Sequence, residues 1–422
     1  MSGRAYSVQL HRVVITGTGA VSPAGYGVDV LWQKLMAGVC CIGELDEALQ
    51  QETGITAGGS VPGYDPLDFF SKKETRRYSR FVQFAIIAAD EAMKQAGIDM
   101  EAENADRFAC CFGSGIGGIG IIEDNAVIRH VKGAKRTSPL LIPTIISNMA
   151  AGNLAIRYGL RGECTNVVTA CATGTHCVGE AYRAIRFGFA DAALCGGTEE
   201  SLSPLSIIGF GNLGAITKAQ DPKRASMPFD LNRSGFVPGE GAGALVLESL
   251  EHAQARGANI IAEITGFGST GDAYHMTSPN PSGEGATRAM LQALQEGGFT
   301  PADLGHMNAH GTSTHPNDAM ESAALIGLMG GEQAAAKVPV VSVKGCVVHM
   351  LGAAGAIEAI VTALSVANSV VPPTVGFETP DPECPVLVSN RPVLDYPQKV
   401  ALSNSLGFGG HNATLAISPF SA

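Results

Sequence analysis

Cys171 stands inside TNVVTACATGTHCVG, Thr165 to Gly179, where an apolar β-rich run meets small residues and then an amphipathic helical stretch. A thiol at such a strand-to-helix turn faces free helix amides and their partial positive charge, which lower its pKa and offer donors to an oxyanion. Ala172, Thr173 and Gly174 are too small to cover the sulfur. The competing reading is a small hydrophobe filling a core. A nucleophilic thiol needs basic partners. Two histidines in glycine-rich settings supply them, His310 in NAHGTST and His349 in KGCVVHMLGAAGA, each after a β-rich run. Carried on strand-end loops of one sheet edge, both rings converge on Cys171 from the second half of the chain. His306, His310 and His315 are close in sequence, but Gly311 and the threonines break a common helical face. No carboxylate completes a ligand spacing, so no metal is expected.

Other signals are weaker. Gly17-Thr18-Gly19 follows a β-rich run but lacks the third glycine of a dinucleotide loop, and no GlyXSerXGly hydrolase pattern occurs. Lys72, Lys73, Arg76, Arg77 and Arg80 form a basic cluster, and Arg129, Lys132, Lys135 and Arg136 a second. On a chain of net charge −11 either fits an acidic partner or a phosphate, or an ordinary solvated helix face.

The elements that must position these residues alternate along the chain. Short β-rich runs are expected at Val13 to Gly17, Phe108 to Gly113, Val167 to Ala170, Ala192 to Gly196 and Ala244 to Leu247, with helical stripes at Arg80 to Ala96 and Val178 to Phe187. After Gly257 the alternation restarts, with strands at Ala262 to Gly266, His306 to Ala309 and Val338 to Ser342. Helices follow at Ala286 to Leu294, Met320 to Leu328 and Gly355 to Val366. Doubly buried strands with helices between them mean an α/β layered fold, and the repeated order points to an internal duplication, residues 1–256 and 257–422. Lys218 to Glu240 is the longest excursion between the halves.

Composition agrees. The 422 residues, 45% hydrophobic and 16% charged, suffice for one large or two fused domains. The acidic balance disfavours coating nucleic acid or anionic lipid. The ten cysteines form no disulfide framework, and the start lacks a secretory pattern, so a soluble cytoplasmic protein is expected, without a membrane span.

Taken in order, VVITGTGAVSPAG, TACATG, PFDLNRSGFVPGEGAG, NAHGTST, HMLGAAGAIE and NSLGFGGHNATL resemble the elongating β-ketoacyl-[acyl-carrier-protein] synthases over nearly the whole chain. The resemblance implies a thiolase-like fold, two duplicated halves in a five-layered αβαβα arrangement, with the strand beside the nucleophile pairing across a dimer axis. It implies Cys171 as acyl acceptor, His310 and His349 as the pair supporting malonyl decarboxylation, and Lys344 as the charge behind them. Glu358 resembles the lysine's carboxylate partner, and Asp318 and Glu321 the acidic network behind His310. Thr312 and Thr314 resemble the residues that bind a phosphopantetheine arm, Phe408 a gate, and Ile116 and Phe210 acyl-pocket liners. Lys72, Lys73, Arg76 and Arg77 become the carrier-docking patch.

No cofactor is implied; the expected partners are acyl carrier protein and a second subunit, either a second copy or a chain-length factor. The alternatives are the ketosynthase subunit of a type II polyketide or polyene system and a non-catalytic carrier-binding subunit. Departures from the family pattern bear on that choice. Val343 and Val348 replace Thr and Gly around Lys344 and His349, Met227 stands for Arg, Ser234 for Asp, and Gly214 for a frequent docking Arg. A β-branched residue enters a glycine-type backbone only at a cost, so the turn before His349 is expected to differ.

Overall fold

The computed structural model describes residues 9–421. Its first half contains strands β1 (Val13–Ser22), β2 (Phe108–Gly113), β3 (Cys164–Thr165), β4 (Ala192–Glu200) and β5 (Glu240–Ser249), with helices α1 (Arg80–Ala96) and α2 (Thr173–Arg186) between them. The second half contains β6 (Ala262–Gly271), α3 (Glu284–Glu296), β7 (Leu304–Asn308), α4 (His315–Met329), β8 (Pro339–Val341), α5 (Ala354–Asn368), β9 (Val400–Gly407) and β10 (His411–Ser418).

Among these strands the order is β3-β2-β4-β5-β1 in the first half and β8-β7-β9-β10-β6 in the second, the same permutation twice, with the short strand Leu387–Val388 added outside β8. Within each half the first two pairings are parallel and the others antiparallel. The halves meet where Val13, Val14 and Ile15 of β1 pair antiparallel with Ile264, Glu263 and Ala262 of β6. Helices α2 and α5 contact each other and strands of both halves, forming the central layer, while α1 and α3 cover the outer faces.

The Gly-Thr-Gly motif lies within β1, and its purpose is packing. A Cβ on Gly17 would sit 2.1 Å from the Ala92 carbonyl oxygen, and one on Gly19 1.9 Å from that of Ala88, so strand and α1 touch backbone to backbone. Gly266 and Gly268 of β6 meet Ala293 and Ala289 of α3 at 2.0 and 1.9 Å in the same way.

Expected elements at Arg80 to Ala96 and at β2, β4, β5, β6 and β7 are present. The strand expected at Val167 to Ala170 is not. Only Cys164–Thr165 pairs, with β2, and the chain then runs irregularly into a 3-10 turn at Ala170–Ala172. β3 is the last strand of the sheet, and its pairing with β2 stops at Thr165 although β2 runs on to Gly113. Val168 is 49% exposed there.

The excursion 218–240 belongs to the first half but crosses onto the second. Leu231 N–H donates to the Thr379 carbonyl at 2.9 Å, and buried Arg233 pairs with Asp381 and lies 3.6 Å from Asp318. All ten cysteines are free. The segment Leu351–Asn368 is long and apolar enough to cross a membrane, yet 83% of it is buried inside the protein; it is the central core helix.

Candidate active site

The nucleophile turn is built from both sides of a backbone kink. Ala170 holds φ 50, and α2 begins at Thr173, so Cys171 sits at the mouth of the helix. His176, one turn further, contacts Thr169 Oγ1 at 2.9 Å, the Ala172 carbonyl at 3.1 Å and Ser269 Oγ at 3.0 Å, pinning the turn to β6. Burial pushes this imidazole down to about 4, so it is a neutral strut.

Two expectations about Cys171 change here. The residue is only 8% exposed, within an apolar cluster with Ile207, Phe236 and Leu351, so the small neighbours do not leave it open at the surface. Burial also pushes the thiol up, to about 12, against the pull of the Lys344 charge. Its route to solvent is a cavity of about 320 Å³ whose wall includes Cys171, Phe210, Phe236, Thr312, Thr314, His310, His349 and Phe408.

The two histidines arrive as the sequence suggests, on loops after β7 and β8. Cys171 Sγ and a ring nitrogen of each lie within 4.8 Å of one another. The rings meet edge to face, centroids 5.1 Å apart. Both pKa values fall well below the ordinary imidazole value, first through burial and then through Lys344. Both rings are therefore neutral near pH 7. Lys344 Nζ lies 3.3 Å from His310 Nδ1, and the ammonium can only donate. The proton of neutral His310 is thus on Nε2.

Lys344 is 1% exposed and is also bonded to the His310 carbonyl and to Glu358. Burial pushes Glu358 up, to about 7, with the lysine pulling it down. Glu321 accepts the N–H groups of His310 and Gly311 at 2.7 and 2.6 Å, and Asp318 accepts that of Phe229 at 2.8 Å. The acidic network thus holds the His310 turn by its backbone. Thr312 and Thr314 face each other across 2.9 Å on the cavity wall, and Phe408 packs against Phe210 with centroids 6.2 Å apart. Ile116 packs in the Cys171 cluster and is not on the cavity wall.

His306 is turned away toward Gln398, and exposed His315 sits at the cavity mouth, so the three sequence-adjacent histidines share no site. Lys72, Lys73, Arg76 and Arg77 are exposed on consecutive turns before α1, not on a helix face. Arg80 leaves that cluster for a bidentate pair with buried Glu240.

Sequence reasoning missed Glu199. Its buried carboxylate accepts Ser114 Oγ at 2.7 Å and the N–H groups of Gly115, Ile116 and Gly352 at 2.9, 3.2 and 3.0 Å, tying the turn after β2 to the one after His349. Nothing in TEES marks it; only the tertiary approach of two turns to β4 does. The departure at Val348 resolves differently from expectation. The valine adopts φ 62 and ψ −175, so the glycine-type backbone is kept at a cost of roughly 1–3 kcal/mol of strain.

Two family models match the chain over most of its length. "Beta-ketoacyl synthase, N-terminal domain" covers residues 10–253 and "Beta-ketoacyl synthase, C-terminal domain" residues 261–378. The chain belongs to the β-ketoacyl synthase family. The synthase is 45% identical over 414 residues to 3-oxoacyl-[acyl-carrier-protein] synthase 2 of Staphylococcus aureus (strain COL), covering 98% of this chain and 100% of the relative. Among solved structures it resembles a type II polyketide ketosynthase in complex with its acyl-carrier protein and bound to the hexaketide, at TM-score 0.90 and 33% identity, covering 98% of this chain and 100% of that one. The ishigamide ketosynthase/chain length factor superposes at TM-score 0.89 with 33% identity and the same coverage. The synthase is therefore a condensing enzyme of the acyltransferase type with a thiolase-like fold.

Proposed function

We propose that the synthase elongates fatty acyl chains by condensing a malonyl group held on acyl carrier protein with an acyl group held on Cys171. The observation that carries this reading is the convergence of one sulfur and two neutral imidazoles on a single cavity wall. In the first step Cys171 Sγ attacks the thioester carbonyl of acyl-carrier as its proton passes to an imidazole. The new S–C bond replaces the carrier's, and the carrier leaves as its thiol with that proton. Backbone N–H groups of Cys171 and Phe408 are the donors assigned to the oxyanion.

Malonyl-carrier then enters, its phosphopantetheine arm lying along the cavity wall against the Thr312 and Thr314 hydroxyls. Its carboxylate C–C bond breaks, carbon dioxide leaves, and the electron pair moves to the thioester oxygen as an enolate. His310 Nε2–H and the His349 ring donate to that oxygen. The enolate carbon attacks the acyl carbonyl, the carbon–carbon bond forms, and Cys171 departs as thiolate, to be reprotonated. Decarboxylation supplies the driving force and positioning the rate, so no cofactor is needed. The two histidines and the intact cysteine disfavour a non-catalytic subunit.

The decisive measurement is mass spectrometry of products from acyl primers of graded length with malonyl-carrier, using the chain purified alone. A homodimer that yields 3-oxoacyl-carrier two carbons longer than a saturated primer is the expected result. The type II polyketide reading is favoured by Gly214 and by the two structural neighbours. A chain inactive alone that makes poly-β-keto products with a chain-length factor would replace fatty-acid elongation with it.

The exposed side chains of Lys72, Lys73, Arg76 and Arg77 support carrier docking on this otherwise acidic protein. Replacing all four with glutamine is expected to raise KM for acyl-carrier about tenfold or more at low ionic strength, with the gap narrowing as salt rises. Equal KM for both proteins at low salt would place the docking surface elsewhere.

A further inference from the structure

His310 and His349 are held in different ways. Lys344 fixes the His310 ring through Nδ1 at 3.3 Å. His349 Nδ1 is buried without a hydrogen-bond partner among the described residues. Its ring rests on Phe236 and His310, with centroids 5.2 and 5.1 Å away. Where that ring points therefore depends on where the main chain puts its Cβ.

Two segments remote in sequence control that main chain. His349 N–H donates to the Val237 carbonyl at 3.0 Å, and Gly239 N–H donates to the His349 carbonyl at 3.1 Å. Gly59 joins the same ribbon, its N–H donating to the Pro238 carbonyl at 2.9 Å and its carbonyl accepting from Glu240 N–H at 3.1 Å. Val348 lies against both. A Cβ on Gly239 would be 2.1 Å from Val348 Cγ2, and one on Gly59 2.2 Å from the same carbon. The isopropyl group fills the space two missing side chains leave, and it does so from φ 62, a region closed to most β-branched residues.

We propose that Val348, seated against Gly59 and Gly239, is a positioning residue that keys the turn before His349 and so aims that imidazole into the cavity. The inference rests on the condensing role given above for His349. It explains how a valine is tolerated here: the strain is held by a matched slot, and slot and side chain act as one unit.

The test is a mutant cycle on Gly239→Ala, where the Val348 side chain is in the way, the next atom being the Gly59 carbonyl oxygen at 3.2 Å. Gly239→Ala is expected to slow carbon dioxide release from malonyl-carrier about tenfold or more, while acylation of Cys171 changes less than about threefold. Adding Val348→Gly in the same chain is expected to return decarboxylation to within about threefold of the Val348→Gly single variant. The His349 resonances of ¹⁵N-histidine-labelled protein, assigned by their absence in His349→Gln, are expected to shift in Gly239→Ala and return in the double variant. Unchanged decarboxylation in Gly239→Ala, equal loss of both partial reactions, or no recovery on adding Val348→Gly would overturn the proposal. A wild-type chain that neither accepts an acyl group nor releases carbon dioxide rejects the functional reading instead, and the His349 resonances then decide on the positioning alone.

Discussion

Cys171→Ala is expected to accept no acyl group from a radiolabelled acyl-carrier donor, a loss on the order of 10⁴-fold or more, and to keep releasing carbon dioxide from malonyl-carrier. The two outcomes separate because different atoms serve them. In the proposed mechanism the sulfur forms the bond to the acyl chain, whereas the enolate oxygen is held by His310 and His349, whose backbones are fixed by Glu321 and by Val237–Gly239. Neither tether involves Cys171. Label retained on the alanine protein would move the nucleophile to another of the nine remaining cysteines, of which Cys164 is the exposed one.

Lys344→Met has the largest expected cost to stability. The ammonium is buried and bonded to the His310 carbonyl, His310 Nδ1 and Glu358. Removing it leaves a buried carboxylate without its counter-charge, which costs about 3–5 kcal/mol. The pH dependence follows from the Glu358 carboxyl, already pushed up to about 7 beside the lysine and pushed further without it. A folded-state value above the unfolded one means that the folded protein holds the extra proton. Stability is then lost as pH rises from about 4.5 through the folded value. The denaturation midpoint of Lys344→Met is therefore expected to fall furthest below wild type above pH 7 and to approach it in acid. Lys344→Met combined with Glu358→Leu is expected to recover most of the midpoint, yet not condensation, because His310 stays without the donor that sets its tautomer. A pH-independent deficit would show that Glu358 is not the group left exposed to the loss.

Much of this site was legible in residue types. A cysteine before small residues and a helix, and two histidines in glycine-rich loops after strands, are patterns that local chemistry explains, and the structure brings all three to one cavity. Arg80 to Ala96 reads as a helix because its apolar stripe has the helical period and Gly97 ends it in the left-handed region. The Gly-Thr-Gly run was ambiguous for a physical reason: a glycine that admits a phosphate and one that admits a helix backbone look the same until the neighbour is known.

What the chain itself determined is the alternation of strands and helices, its repetition, and the identity of the groups that can attack, donate and carry charge, since these depend on period and functional group alone. Tertiary structure decided the rest. Burial at the strand-to-helix turn raises the Cys171 thiol; pairing with β2 stops at Thr165; two turns meet on Glu199; and two distant glycines make room for Val348. Each of these turns on desolvation or close contact between segments far apart in sequence, and those forces exist only once the chain has closed on itself.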